Sequence, residues 1–122
     1  MTGDNKGEDA PLTYEATLEL GRAEAEARLA AAGPQDLPLL LVSLPDMDEA
    51  DWVEATCHAY LGHDDPWVAN AAATALGHLA RIHGRLDTEK AAAAIEAAKT
   101  RHPEMAGRMD DALGDIAFFM KT

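Results

Sequence analysis

Cysteine occurs once in the 122 residues, at Cys57, which excludes an intrachain disulfide and a cysteine-based zinc site and suits a reducing compartment. β-Branched aliphatics are also scarce. Val42, Val53, Val68, Ile82, Ile95 and Ile116 stand against 26 alanines and 14 leucines, the reverse of what a pleated sheet selects, so the composition predicts an all-α chain. Basic residues are few: ten Lys and Arg face 22 Asp and Glu, a net charge of −12 with a pI near 4.6. A chain so poor in cations cannot neutralise a phosphate backbone, which argues against nucleic-acid binding. No apolar run exceeds the five residues of Ala91–Ile95 or Ile116–Met120, far short of a bilayer crossing, and the first residues lack the basic stretch and apolar core of a secretion signal. The expectation is a soluble, cytoplasmic protein with no membrane partner. Nucleophile elbow, phosphate loop and metal signature are missing as well, so no cofactor or metal is implied and the informative features are those of a surface.

The charge deficit is uneven. Residues 1–62 hold 3 basic and 13 acidic groups, whereas residues 63–122 hold 7 and 9, so an electrostatically chosen partner is basic and meets the N-terminal half first. Residues 1–11 (MTGDNKGEDAP) have no apolar period and read as a disordered acidic tail, leaving residues 12–122 as one domain.

Helix punctuation then recurs. Thr13 caps a first helix running to about Ala32, with Tyr14, Leu18, Ala25 and Leu29 at helical spacing and Gly33-Pro34 as its stop. Pro34 in first-turn position, followed by Leu37, Leu40, Leu41 and Leu44, marks a short second helix stopped by Pro45. Asp48 is the expected N-cap of a third, whose Trp52, Val53, Cys57, Tyr60 and Leu61 crowd one side before Gly62. Asp65-Pro66 opens a fourth that runs to about His83 and ends at Gly84. Asp87 or Thr88 starts a fifth through Arg101, and Pro103 starts a sixth that continues almost to the C-terminus. Turns of a few residues make neighbouring helices antiparallel.

The fourth and sixth helices are self-similar. Residues 66–80 (PWVANAAATALGHLA) and 103–117 (PEMAGRMDDALGDIA) share six identities at a constant offset of 37, including Pro66/Pro103, Leu76/Leu113 and Gly77/Gly114. A period of this length marks stacked helical hairpins, each of which leaves an apolar face wet until a neighbour covers it. The seam is expected from Val68, Ala72, Leu76, Leu79 and Ile82 with Met105, Met109, Leu113, Ile116 and Met120. Gly77 and Gly114 then let a neighbouring helix approach closely. The period, the Asp65-Pro66 start and the Ala-Leu-Gly segments resemble HEAT repeats over residues 34–121. Residues 52–86 and the later ALGDI also resemble short bacterial HEAT-like proteins, some of which are immunity proteins of toxin systems. The resemblance implies a right-handed α-solenoid of about six helices whose second helices line the concave side.

On that implication the outward stripe of the fourth helix is Trp67, Asn70, Thr74, His78 and Arg81, three and four apart. Its counterpart 37 residues on is Glu104, Gly107, Asp111, Asp115 and Phe118. Tryptophan, arginine and carboxylates are the groups that dominate protein recognition sites. The plain alternative is that Trp67 packs at a helix start while the charges solvate a face, and the exposure of Trp67 decides between the two.

Other candidates are weaker. His58/His63 and His78/His83 lie five apart, off any shared helical face, so His58, His63, His78, His83 and His102 read as solvated or turn-capping groups. Asp65 next to Asp64 reads as a cap, Asp110, Asp111 and Asp115 have too few further oxygen ligands for a calcium cage, and Cys57 reads as a buried hydrophobe. Glu24 and Glu26 fall on different faces of the first helix, while Glu15 and Glu19 share one. The expected function is a non-catalytic protein-binding module, in its sharpest form an immunity protein occluding a basic toxin, as a monomer or weak homo-oligomer. The alternative is a small enzyme: HEAT-like repeats resemble bilin lyases and DNA glycosylases. A glycosylase needs the missing cationic groove, and a lyase needs His78 and Asp115 together in a cleft.

Overall fold

The structure, a computed structural model, describes residues 21–121. The expected tail over residues 1–11 lies outside that range, as do Thr13, Tyr14, Glu15, Leu18 and Glu19. Among the described residues six α-helices follow one another: α1 (Arg22–Ala31), α2 (Leu37–Ser43), α3 (Ala50–Leu61), α4 (Pro66–His83), α5 (Thr88–Arg101) and α6 (Ala106–Met120). Single 3-10 turns at Leu44–Asp46 and Pro103–Met105 precede α3 and α6, and no strand occurs among the described residues.

The expected punctuation holds best around α4. Asp65 Oδ1 accepts the backbone N–H of Trp67 at 2.8 Å and of Val68 at 3.2 Å, Pro66 occupies the first turn, and Gly84 ends the helix at φ +63°, a left-handed conformation that only glycine adopts without cost. Asp87 likewise caps α5 by accepting from the Lys90 N–H.

Elsewhere the boundaries shift. Gly21 is extended (φ −84°, ψ 167°), so α1 begins at Arg22 and no single helix spans residues 13–32; glycine is the costliest of the ordinary residues to hold helical there. Pro34 falls in a turn, and Pro38 takes the early-helix place in α2. Asp48 is not a side-chain cap: α3 starts at Ala50 behind Glu49. Pro103 opens the 3-10 turn rather than α6 itself, because no capping side chain stands before it as Asp65 stands before Pro66.

Contacts between the helices fix their directions. Arg22 at the start of α1 reaches Glu49 and the ring of Trp52, while Leu29 and Ala30 near its end share a groove with Ala59 and Tyr60. Arg85, just before α5, pairs with Asp51, and Arg101 at the end of α5 donates to the Leu61 carbonyl at the end of α3. Helices α1, α3 and α5 therefore run parallel as one layer. In the second layer, Pro34 and Pro38 at the start of α2 adjoin Trp67 at the start of α4, and His83 at the end of α4 bonds the Pro45 carbonyl just beyond α2. Arg108 early in α6 covers Trp67, and Asp115 further along lies against Gly77, so α2, α4 and α6 are parallel too.

Helix α4 sits at the centre, packed on α6, α3 and α2, and buries Val68, Ala72, Ala73, Leu76, Leu79 and Ala80. Those side chains form one continuous core with Val53, Cys57, Ile95, Met105, Met109 and Ile116. Leu113 and Met120 are only partly buried, and Ile82 does not belong to the seam, being 39% exposed at the far end of α4. Gly77 behaves as expected: a Cβ there would touch the Asp115 Cβ at 3.4 Å and the Ala112 carbonyl at 3.7 Å. Gly114 does not. It is exposed, with nothing within 4 Å of a Cβ, because α6 is the outer helix of its layer among the described residues.

Candidate functional site

The outer face of the second layer brings the two expected stripes side by side. The Asp65 cap fixes the first turn of α4 and turns Trp67 outward, where it is 52% exposed. Asn70, Thr74 and His78 follow at helical spacing, half-buried, and Arg81 is exposed again. The stripe is thus sunken along its middle, and the Asn70 Oδ1 is buried there without a hydrogen-bond partner. Along α6, Glu104, Gly107, Asp111, Asp115 and Phe118 are all exposed, Phe118 at 63%.

Geometry between the stripes differs from a simple shift of 37. The neighbour of Trp67 is Arg108, whose guanidinium carbon lies 5.0 Å from the indole centroid, a cation–π contact. His78 lies between charges of opposite sign. Its Nδ1 is 3.3 Å from Arg81, which can only donate, so the ring is neutral with its proton on Nε2. Burial lowers its pKa most and Arg81 lowers it further, against the upward pull of Asp115 and Asp46. No hydrogen bond joins His78 to Asp115.

Four carboxylates of this face are not neutralised by any described residue. Asp46, Glu104, Asp111 and Asp115 form no ion pair with any described residue, whereas Lys99 holds Asp110 and Glu96. Exposed apolar side chains occur on the same layer. Leu39 on α2 is 68% exposed, and Phe118 packs edge-on against Phe119 at 4.9 Å with Lys121 over its ring at 5.5 Å.

The remaining histidines are structural. The His63 Nδ1 accepts the Asp65 N–H at 3.0 Å, and the His102 Nε2 donates to the His63 carbonyl at 3.0 Å, tying the α5 end to the α3–α4 turn. The His83 Nε2 donates to the Pro45 carbonyl at 2.7 Å, a tertiary tie from the end of α4 to the turn after α2. His58 is half-buried between Glu54, Asp87 and Lys90, with its Nε2 unpartnered and its pKa lowered by burial and by Lys90. Among the described residues, no three His, Cys, Asp or Glu side chains converge to hold a metal ion, and no helix is long and apolar enough to cross a membrane. Cys57 is buried and its pKa is pushed up to about 12, mainly by burial and further by Glu54.

Asp46, Arg108, Phe119 and the wall made by Pro34 and Pro38 also adjoin this face. Sequence spacing gives no signal for them, because it orders residues within a helix and says nothing about the axial stagger between helices. Compared with known proteins, the chain matches no family model, no curated protein and no solved structure.

Proposed function

We propose that this chain is a non-catalytic, HEAT-like helical-repeat module that binds a basic protein through the face formed by α2, α4 and α6. In its sharpest form it is an immunity protein that occludes a basic toxin domain, one copy per partner. The observation that carries the reading is Trp67, half in water at the head of the most buried helix and on one surface with carboxylates that no described cation neutralises. An indole is costly to leave wet, and burying it against a partner returns about 25 cal/mol per Å². Unpaired carboxylates steer a cationic partner and become desolvated only when its charges meet them. The net charge of −12 and the resemblance to HEAT-like immunity proteins support the same direction.

The test is co-purification with the product of the adjacent gene, followed by calorimetry. The expected result is a one-to-one complex that weakens with added salt, since such steering is screened over about 8–10 Å at physiological ionic strength, and that protects cells expressing the partner. A complex indifferent to both salt and Trp67→Ala overturns the reading.

A further inference from the structure

We infer that the depression beside Trp67 is a receptor for one long cationic side chain of the partner, arginine above all. It occupies about 490 Å³ between the start of α2 and the head of α4, and is lined by Pro34, Gln35, Pro38, Asp65 and Trp67. Three of those residues present apolar rings and two present oxygen acceptors. That combination suits an amphipathic chain, whose methylene stem lies on apolar surface while its charged head seeks acceptors. The head of a helix ordinarily attracts anions, but here the Asp65 Oδ1 already takes the N–H groups of Trp67 and Val68. The Asp65 Oδ2 forms no hydrogen bond to a described residue, and Asp65 is the only charged group among the described residues that line the depression, so the charge it offers a guest is negative.

The molecule contains its own precedent. At Trp52 the Arg22 guanidinium lies 5.3 Å from the indole centroid and reaches Glu26 at 3.2 Å and Glu49 at 3.4 Å: an indole and carboxylates hold one guanidinium. At Trp67 an indole and a carboxylate stand together in the same way. Arg108 engages that ring from α6, while the depression opens on the α2 side. A partner arginine there completes at Trp67 what Arg22 completes at Trp52.

The assignment rests on reading this face as protein-binding, and the two are tested separately. The full chain, labelled with ¹⁵N, is titrated with N-acetyl-arginine N-methylamide and with its citrulline, norleucine and glutamate counterparts, following the Trp67 indole and Gln35 amide signals. Saturable shifts are expected with arginine, and binding about tenfold weaker with citrulline, which keeps the shape and loses the charge. Asp65→Asn keeps the cap, since asparagine caps as well as aspartate, and is expected to reduce arginine to the citrulline level with an unchanged circular dichroism spectrum. Equal response to arginine and citrulline, preference for norleucine or glutamate, no shift up to about 50 mM, or indifference to Asp65→Asn overturns the assignment. If the arginine probe fails while Trp67→Ala still releases the partner, only the receptor falls; if Trp67→Ala leaves the complex intact, the docking face falls.

Discussion

The two layers carry the same kinds of charged residue and differ in what neutralises them. In the layer of α1, α3 and α5, Glu24 and Glu26 are held by Arg28 and Arg22, Glu49 by Arg22, Asp51 by Arg85 and Glu96 by Lys99, while Glu54 and Glu89 pair with no described cation. In the layer of α2, α4 and α6, Lys99 holds Asp110, but Asp46, Glu104, Asp111 and Asp115 have no such partner among the described residues, and Trp67 and Phe118 stand exposed on the same layer. Net charge alone hides this. The acidic first half invites the expectation that a basic partner meets it first, yet α1 is laced with its own arginines, and three of the four carboxylates that pair with no described residue, Glu104, Asp111 and Asp115, lie in the second half, on α6 or in the turn before it. Those pairs are solvent-exposed and screened, so the pairing bears on what each face offers a partner more than on stability.

The largest effect that could break this comparison is on binding. Trp67→Ala is expected to weaken the partner complex by about 30-fold or more, the loss of a central aromatic anchor, while Trp52→Ala in the other layer leaves affinity within about threefold. Equal losses measured by calorimetry would erase the distinction between the faces.

Next come the two repeat-related glycines. Gly77→Val forces methyl groups into Asp115 and the α6 backbone and is expected to cost about 1–3 kcal/mol in urea unfolding. Gly114→Ala meets only solvent and is expected to stabilise by about 0.5–1 kcal/mol, since alanine is the better helix former. A destabilised Gly114→Ala variant would mean that the outer edge of α6 is covered.

A smaller effect separates the carboxylates. Asp111→Asn combined with Asp115→Asn is expected to slow association with the basic partner by about three- to tenfold at low salt and to flatten its salt dependence. Glu24→Gln combined with Glu26→Gln, removing charges already paired, is expected to leave both unchanged in stopped-flow measurements.

The smallest effect concerns pH, one histidine in each layer. His58 and His78 are held below 6.5, first by burial and then by Lys90 and Arg81 respectively, so below that pH the unfolded chain binds more protons than the folded one. Their contribution to stability is full above pH 6.5 and is lost as the pH falls toward the folded values, where it levels off. The urea midpoint of the His58→Gln, His78→Gln double variant is accordingly expected to change less between pH 7.5 and 5.5 than that of the parent protein. Resonances of His58 and His78 that titrate above 6.5 would contradict this.

How much of this was legible in the chain depends on whether a feature is local. The α4 boundaries were, because Asp65, Pro66 and Gly84 act on their own backbone. So was the α4 stripe, a matter of spacing along one helix. The start of α6 was not, since Pro103 matches Pro66 in sequence while nothing before it plays the part of Asp65. Gly114 matches Gly77 in the same way, and only the order of helices in the layer makes one buried and the other bare. The juxtapositions that make the face chemical, Arg108 on Trp67, Asp46 and Asp115 about His78, and the prolines of α2 beside Asp65, depend on how far one helix slides past the next. Side-chain packing across the seam sets that distance.

Cys57 gives the molecule a built-in clock. Its thiol is unique in the chain, enclosed by the core beside Val53 and Leu61, and too weakly acidic to form thiolate at neutral pH while enclosed. An alkylating reagent can consume it only during excursions in which α3 lifts away, so the labelling rate counts those excursions without any engineered probe. Slower labelling in the presence of the partner would show that docking on the far layer also quiets the interior.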